Sequence, residues 1–321
     1  MCVSSCMRSD SEAVTKFRVS DSMIKETVQQ NAGGPEEIIR TRGTISGVTF
    51  PALDRTGFID HGFLLRTGGV STGCFESLNL SFTRGDRQED VEENFRRAAA
   101  YFGTVPERIV SAYQTHTHEV MRVGSAQAGK GGTRERIYPD VDGLLTNEPG
   151  LLLTTSHADC TPVFLADPVH RAIAMVHSGW RGTAGRIGEN AVNAMRREFG
   201  TEASDLVAAI GPCICGNCYE VGPEVAVQFI EMFGEETVYR DVTGVGPMLR
   251  PKTNGKYLLD QKALNVRILT DAGVPREQIS VSAFCTFERP DLFFSHRKMG
   301  EKRGNLRAFL MIRPEGDEAE A

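Results

Sequence analysis

Val163-Phe164-Leu165-Ala166-Asp167-Pro168-Val169-His170-Arg171-Ala172-Ile173-Ala174-Met175-Val176-His177 is the stretch on which the fold turns. Two short apolar runs are separated only by the turn-prone segment 167–171. That spacing suits an antiparallel hairpin and is too short for a parallel crossover. A third apolar run, 151–155, comes just before them. A purely parallel sheet is therefore not expected, and the chain reads as α/β of mixed α+β character, with mixed sheets covered by helices in one domain. Outward from this stretch, further strands are expected at 58–66, 109–114, 120–123, 206–210, 280–284 and 307–312. Helices are expected from Asp90, with Glu93 as a capping box, to Gly103, and over 183–199, 223–233 and 260–272. Gly200, Gly234 and Gly273 supply the stops of the last three.

The ends differ from this middle. Residues 1–44 are polar and lack sustained periodicity, which predicts a mostly disordered extension with a short helix near 22–28. The catalytic domain is expected over 45–314, and the acidic tail 315–321 is expected to fray. A formal charge of −6 over 321 residues argues against a general nucleic-acid binder. No apolar run is long enough to span a bilayer, and the N-terminus lacks a signal peptide's apolar core. A cytoplasmic protein is expected, so its eight cysteines should be thiols or metal ligands rather than disulfides.

The chemistry gathers at the ends of strands. Asp159-Cys160-Thr161-Pro162 places a thiol where proline interrupts or starts a strand. His177 closes an apolar strand and leads into Ser178-Gly179-Trp180-Arg181-Gly182 and a helix N-terminus. His116 closes another strand, in Tyr113-Gln114-Thr115-His116. Cys with two His is zinc chemistry, and three protein ligands leave a fourth position open for water or substrate. Spacing does not choose among His116, His118, His157 and His177. Arg181 offers a fork-shaped donor for phosphate or carboxylate. Cys213-Ile214-Cys215-Gly216-Asn217-Cys218 looks metal-like, but no second cysteine pair follows at zinc-ribbon spacing. It reads as a packed thiol-rich loop, with a redox or structural zinc role as the minority reading.

Taken in order, several segments resemble one family. They include His61-Gly62-Phe63 through Arg66, Gly68-Gly69-Val70-Ser71, Ser77-Leu78-Asn79-Leu80, Gln114-Thr115-His116 and Asp140-Val141-Asp142-Gly143. They continue through Ala158-Asp159-Cys160, His177-Ser178-Gly179-Trp180-Arg181-Gly182, Ile210-Gly211-Pro212, Cys218-Tyr219-Glu220-Val221-Gly222 and Phe294-Ser295-His296-Arg297. The pattern, from about 48 to 313, is similar to that of the laccase-domain proteins, once labelled polyphenol oxidases. Its members are described as zinc-dependent purine nucleoside phosphorylases and, in some cases, peptidoglycan editing factors. The resemblance implies two packed mixed sheets flanked by helices, related to a toxin-like cysteine hydrolase fold. It implies zinc on His116, Cys160 and His177. It leaves the turn Glu301-Lys302-Arg303-Gly304-Asn305 without a role, because the family usually carries Thr-Gly-Arg there.

The activity so implied is phosphorolysis of adenosine, inosine, guanosine or methylthioadenosine to base and ribose-1-phosphate, with adenosine deamination alongside. Nucleoside and phosphate are the expected small-molecule partners of a monomer. Cys160, His177, Asp159 (as proton shuttle) and Arg181 are the candidate catalytic residues. Arg66, Arg181 and Arg297 are candidates for substrate and phosphate binding. The alternative is an amide hydrolase acting on a cell-wall precursor, with zinc hydroxide or Cys160 as nucleophile. Copper-dependent phenol oxidation carries little weight, because multicopper sites need more histidines, in clusters, than the seven present.

Overall fold

The computed structural model describes residues 24–29, 37–133 and 139–314. A seven-stranded sheet runs in the order Ile24–Gln29, Glu37–Arg42, Ile45–Thr49, Ile59–Leu64, Leu306–Ile312, Leu152–His157 and Ile109–Ser111, parallel only at its last pair. A six-stranded sheet runs Ile279–Val281, Val207–Ile210, Thr161–Asp167, Ala172–Ser178, Gly143–Thr146 and Val120–Arg122, parallel at its two outer pairs. The expected hairpin lies at the centre of the second sheet, with Val163 opposite Val176 and Asp167 opposite Ala172. Asp167 makes the turn: its Oδ1 accepts the backbone N–H groups of Val169 and His170 at 2.8 and 3.0 Å.

Strand periodicity explains the layering. Phe164, Ala166, Ile173 and Met175 join Phe63, Leu153, Ala308 and Leu310 in a core between the sheets. The alternate residues Val163, Leu165, Ala174 and Val176 face the helices Ile187–Phe199 and Gln261–Asp271 through Ile187, Ala191, Met195, Val266 and Leu269. On the far side, Phe309 and Met311 pack on Val91, Phe95 and Ala98 of helix Gln88–Tyr101. The chain thus forms one domain with two large mixed sheets between helical layers. Each large core side chain buried this way contributes about 1.5–3 kcal/mol.

Three expectations change. The helix foreseen near 22–28 is a strand over Ile24–Gln29, paired antiparallel with Glu37–Arg42. Glu37–Arg42 therefore belongs to the large sheet instead of a disordered extension, with 43–44 turning into its next strand; residues 1–23, 30–36 and the acidic tail 315–321 lie outside the described residues. The helix foreseen over 183–199 is two helices, Trp180–Ala184 and Ile187–Phe199, broken where Arg186 takes φ +56°. Finally, helix Gln88–Tyr101 begins before Asp90, and Glu93 pairs with Arg96 and Arg97 rather than closing a capping box.

Candidate active site

His177 ends the central strand Ala172–Ser178, and Cys160 immediately precedes its partner Thr161–Asp167, so the hairpin register brings the two together. His116 comes from the loop after Ile109–Ser111, in the other sheet, with φ +66°. One ligand atom from each of the three lies within 4.8 Å of the others, and Cys160 Sγ is 4.0 Å from His116 Nε2. A tetrahedral zinc with bonds of about 2.0–2.3 Å holds its ligand atoms about 3.3–3.8 Å apart, so this donor set fits zinc and leaves one position open.

The fully buried carboxylate of Asp142 organises the cluster. Its Oδ1 accepts a hydrogen bond from His177 Nδ1 at 2.7 Å, and its oxygens also accept the backbone N–H groups of Thr115, His116 and Thr117. One side chain thus orients one ligand and shapes the loop that carries another. Asp142 was visible in the sequence only as part of a motif, with no role attached. Burial works against its ionisation, but the His177 hydrogen bond and charge hold its carboxyl below the ordinary range.

Without a metal, charge separates inside the cluster. Burial raises the Cys160 thiol, yet His177 and His116 bring it down to about 6. Burial lowers His177, yet the Cys160 thiolate and Asp142 lift it to about 9. The other two histidines stand apart. His157 uses both ring nitrogens, one with Thr155 Oγ1 at 2.8 Å and one with the Cys160 carbonyl at 3.1 Å. Burial, reinforced by the His177 charge, keeps it neutral. His118 is exposed beside Glu119. Gly179 adjoins all three ligands: a Cβ there would sit 2.9 Å from His116 Cδ2 and 3.3 Å from Cys160 Sγ.

A cavity of about 440 Å³ opens over His116, Cys160 and His177. Its wall includes Arg84 and Arg303, but none of Arg66, Arg181 or Arg297. The donors of Arg66 are committed to the carbonyls of Glu76 and Pro290. Arg181 lies exposed over the Trp180 ring, 4.3 Å from its centroid. Arg297 lies over Tyr219 and donates to the Glu220 carbonyl. Arg84 and Arg303 each keep a buried Nε with no hydrogen-bond partner among the described residues. Burial, and then the charge of Arg84, brings Arg303 down to about 10, a repulsion that an anion would relieve. Phe82 and Tyr113 also line the cavity and are about two-fifths exposed, unusually open for rings of that size.

Asp159 is held at φ +93° with both carboxylate oxygens engaged, Oδ1 by Thr286 Oγ1 at 2.6 Å and Oδ2 by the Arg297 backbone N–H at 2.7 Å. Those bonds fix the residue next to Cys160 and leave little of the carboxylate free for proton transfer. The turn 301–305, given no role in the sequence, carries both Arg303 and Asn305 into the cavity wall.

Comparison with known proteins gives consistent results. The sequence model of the family described as "Multi-copper polyphenol oxidoreductase laccase" matches residues 60–313. The chain is 36% identical over 252 residues to purine nucleoside phosphorylase YlmD of Bacillus subtilis, covering 78% of this chain and 87% of that protein. It is 34% identical over 264 residues to a purine nucleoside phosphorylase of Bacteroides thetaiotaomicron, covering 82% and 95%. The crystal structure of YlmD from Geobacillus stearothermophilus superposes with a TM-score of 0.78 at 32% identity, covering 90% of this chain and all of that one. Among the described residues, no helix is long and apolar enough to cross a membrane.

Proposed function

Because this chain belongs to the laccase-domain family, we propose that it is a purine nucleoside phosphorylase that works with zinc on His116, Cys160 and His177. The observation that carries this reading is the placement of two arginines, Arg84 and Arg303, in the wall of the same cavity as His116, Cys160 and His177. Relatives named purine nucleoside phosphorylase support it. Bound zinc would supply Lewis-acid polarisation of an oxygen at its open position.

The chain's own residues divide the remaining work. Arg84 and Arg303 hold the phosphate dianion through charge-assisted hydrogen bonds. Phe82 and Tyr113 offer ring faces for a purine, whose stacking is worth roughly 1–3 kcal/mol per base. In phosphorolysis a phosphate oxygen bonds to C1′ as the C1′–N9 bond breaks, and the departing purine takes up a proton. Positive charge builds on the ribose in the transition state, and an anion held against C1′ stabilises it. Adenosine, inosine, guanosine and methylthioadenosine all fit this chemistry. Adenosine deamination in the same cavity replaces the C6 amino group with water's oxygen and releases ammonia. We assign Asp159 to positioning Cys160 in both reactions. Nucleoside and phosphate are metabolites of the cytoplasm, where this reading places a monomeric enzyme.

A second reading rests on a different observation. Cys160 Sγ and a His177 ring nitrogen lie within 4.8 Å, Asp142 stands behind the imidazole, and the two groups lower the thiol and raise the imidazole, which suits a cysteine hydrolase. That pair supports amide hydrolysis in editing a cell-wall precursor; a relationship to the toxin-like cysteine hydrolase fold remains part of this second proposal. Chromatography of adenosine and inosine incubated with zinc-loaded protein, with and without phosphate, separates the readings. Phosphorolysis predicts free base only when phosphate is present, and none from Cys160→Ala. Bound zinc with no nucleoside turnover, and an amidase activity that survives chelation, would transfer the assignment to the cysteine hydrolase.

A further inference from the structure

A partner for the cysteine-rich loop lies seventy residues downstream of Cys215, at Cys285. Val207–Ile210 and Ile279–Val281 are parallel neighbours in the six-stranded sheet, so the loops leaving their ends run side by side. The first carries Cys215-Gly216-Asn217-Cys218, and the second carries Cys285-Thr286-Phe287-Glu288. One ligand atom each from Cys215, Cys218, Cys285 and Glu288 lies within 4.8 Å of the others. Glu288 Oε1 is 3.2 Å from Cys218 Sγ and 3.8 Å from Cys215 Sγ, and the Cys215 backbone N–H donates to Cys285 Sγ at 3.3 Å. Ligand atoms on a tetrahedral zinc stand about 3.8 Å apart for bonds of about 2.3 Å. Cys213 stays outside the cluster, fully buried with its thiol directed at the Ile214 carbonyl.

We propose that Cys215, Cys218, Cys285 and Glu288 bind a second zinc ion, separate from the one over the cavity. Three thiolates and one carboxylate complete a tetrahedron, so no position stays open and the site is structural. It fastens two loops that both reach Asp159. Thr286, next to Cys285, donates to the Asp159 carboxylate, and the Ile214 N–H donates to the Asp159 carbonyl at 3.1 Å. A non-glycine residue at φ +93° is strained and needs such bracing. The clip therefore backs the segment that presents Cys160, and it does not depend on which reaction occurs there.

Metal content of the full-length protein, purified under reductant and dialysed against metal-free buffer, tests this. Mass spectrometry of bound zinc should give two ions per chain for the wild type and one for folded Cys160→Ala. The double variant Cys215→Ser, Cys218→Ser should drop to one. Glu288→Gln, at an exposed position, should keep its fold but lose one ion faster than the wild type to a chromogenic chelator. Cobalt-loaded Cys160→Ala should retain a thiolate-to-cobalt charge-transfer band, because its remaining site has three sulfurs. One ion in both the wild type and Cys160→Ala would uphold this site while removing zinc from the cavity. A folded Cys160→Ala without metal, or a Cys215–Cys218 disulfide in protein kept under reductant, would overturn the proposal.

Discussion

His177 Nδ1 and Asp142 Oδ1 are 2.7 Å apart, and the His177 backbone N–H donates to the Asp142 carbonyl at the same distance. This double contact joins the end of the central strand to the residue just before Gly143–Thr146. It leaves Nε2 of His177 as the nitrogen that can face a metal. It also gives one buried carboxylate charge of both ligand-bearing loops.

Asp142→Asn keeps the shape but removes the charge that fixes the imidazole and the N–H groups of Thr115, His116 and Thr117. Zinc affinity at the cavity should fall about ten- to a hundredfold, the usual effect of losing the group behind a ligating histidine. Metal titration with a competing chelator measures it. Unchanged affinity would mean that the Asp142 contact does not support the centre.

Arg84→Ala and Arg303→Lys each remove a fork-shaped donor from the cavity wall. Loss of a charge-assisted hydrogen bond costs about 1.5–3 kcal/mol, so KM for phosphate should rise roughly ten- to a hundredfold. KM for inosine should move far less. Equal effects on both constants would place these arginines elsewhere in the reaction.

The metal-stripped protein has a pH signature. Cys160 is lowered to about 6, so its stabilisation is complete only above the thiol's ordinary 9 and is lost as the pH falls through about 6. His177 is raised to about 9, so its stabilisation is complete below 6.5 and is lost as the pH rises through about 9. The two slopes oppose each other, and thermal stability should stay nearly flat from about pH 6 to 9. Iodoacetamide labelling of Cys160 in the stripped protein should rise with a midpoint near 6, and zinc should block it. A midpoint near the ordinary thiol value would show that no thiolate–imidazolium pair forms.

Gly179→Ala introduces a Cβ 2.9 Å from His116 Cδ2 at a backbone conformation that alanine otherwise accepts, φ −73° and ψ +168°. The penalty is therefore steric and local. The variant should fold with nearly normal secondary structure by circular dichroism yet bind zinc at the cavity at least tenfold more weakly, as expected when a group bracing a ligand is disturbed.

Much of this arrangement could be read from sequence because local chemistry announces it. Cys160 stands two residues before a proline and His177 two before Gly179, so the residues that bound the strands also mark the candidate ligands. The hairpin was readable from the turn chemistry of Asp167 and Pro168. Asp142 was not, because its role exists only where two loops meet around one carboxylate. Arg66 and Arg297 looked like anion binders because a sequence does not show that carbonyls take the donors of Arg66 and Nη1 of Arg297. Arg84 and Arg303 lie on opposite ends of the chain, and no local pattern joins them. Ile24–Gln29 was read as part of a short helix and Glu37–Arg42 as extension, because only their pairing with each other marks them as strands.

Phosphorus NMR of zinc-loaded protein with inosine and inorganic phosphate tests the central claim most directly. The account predicts a ribose-1-phosphate signal growing in step with hypoxanthine, abolished in Cys160→Ala. Hypoxanthine accompanied by free ribose alone, or no cleavage by a protein that holds zinc on His116, Cys160 and His177, would contradict it.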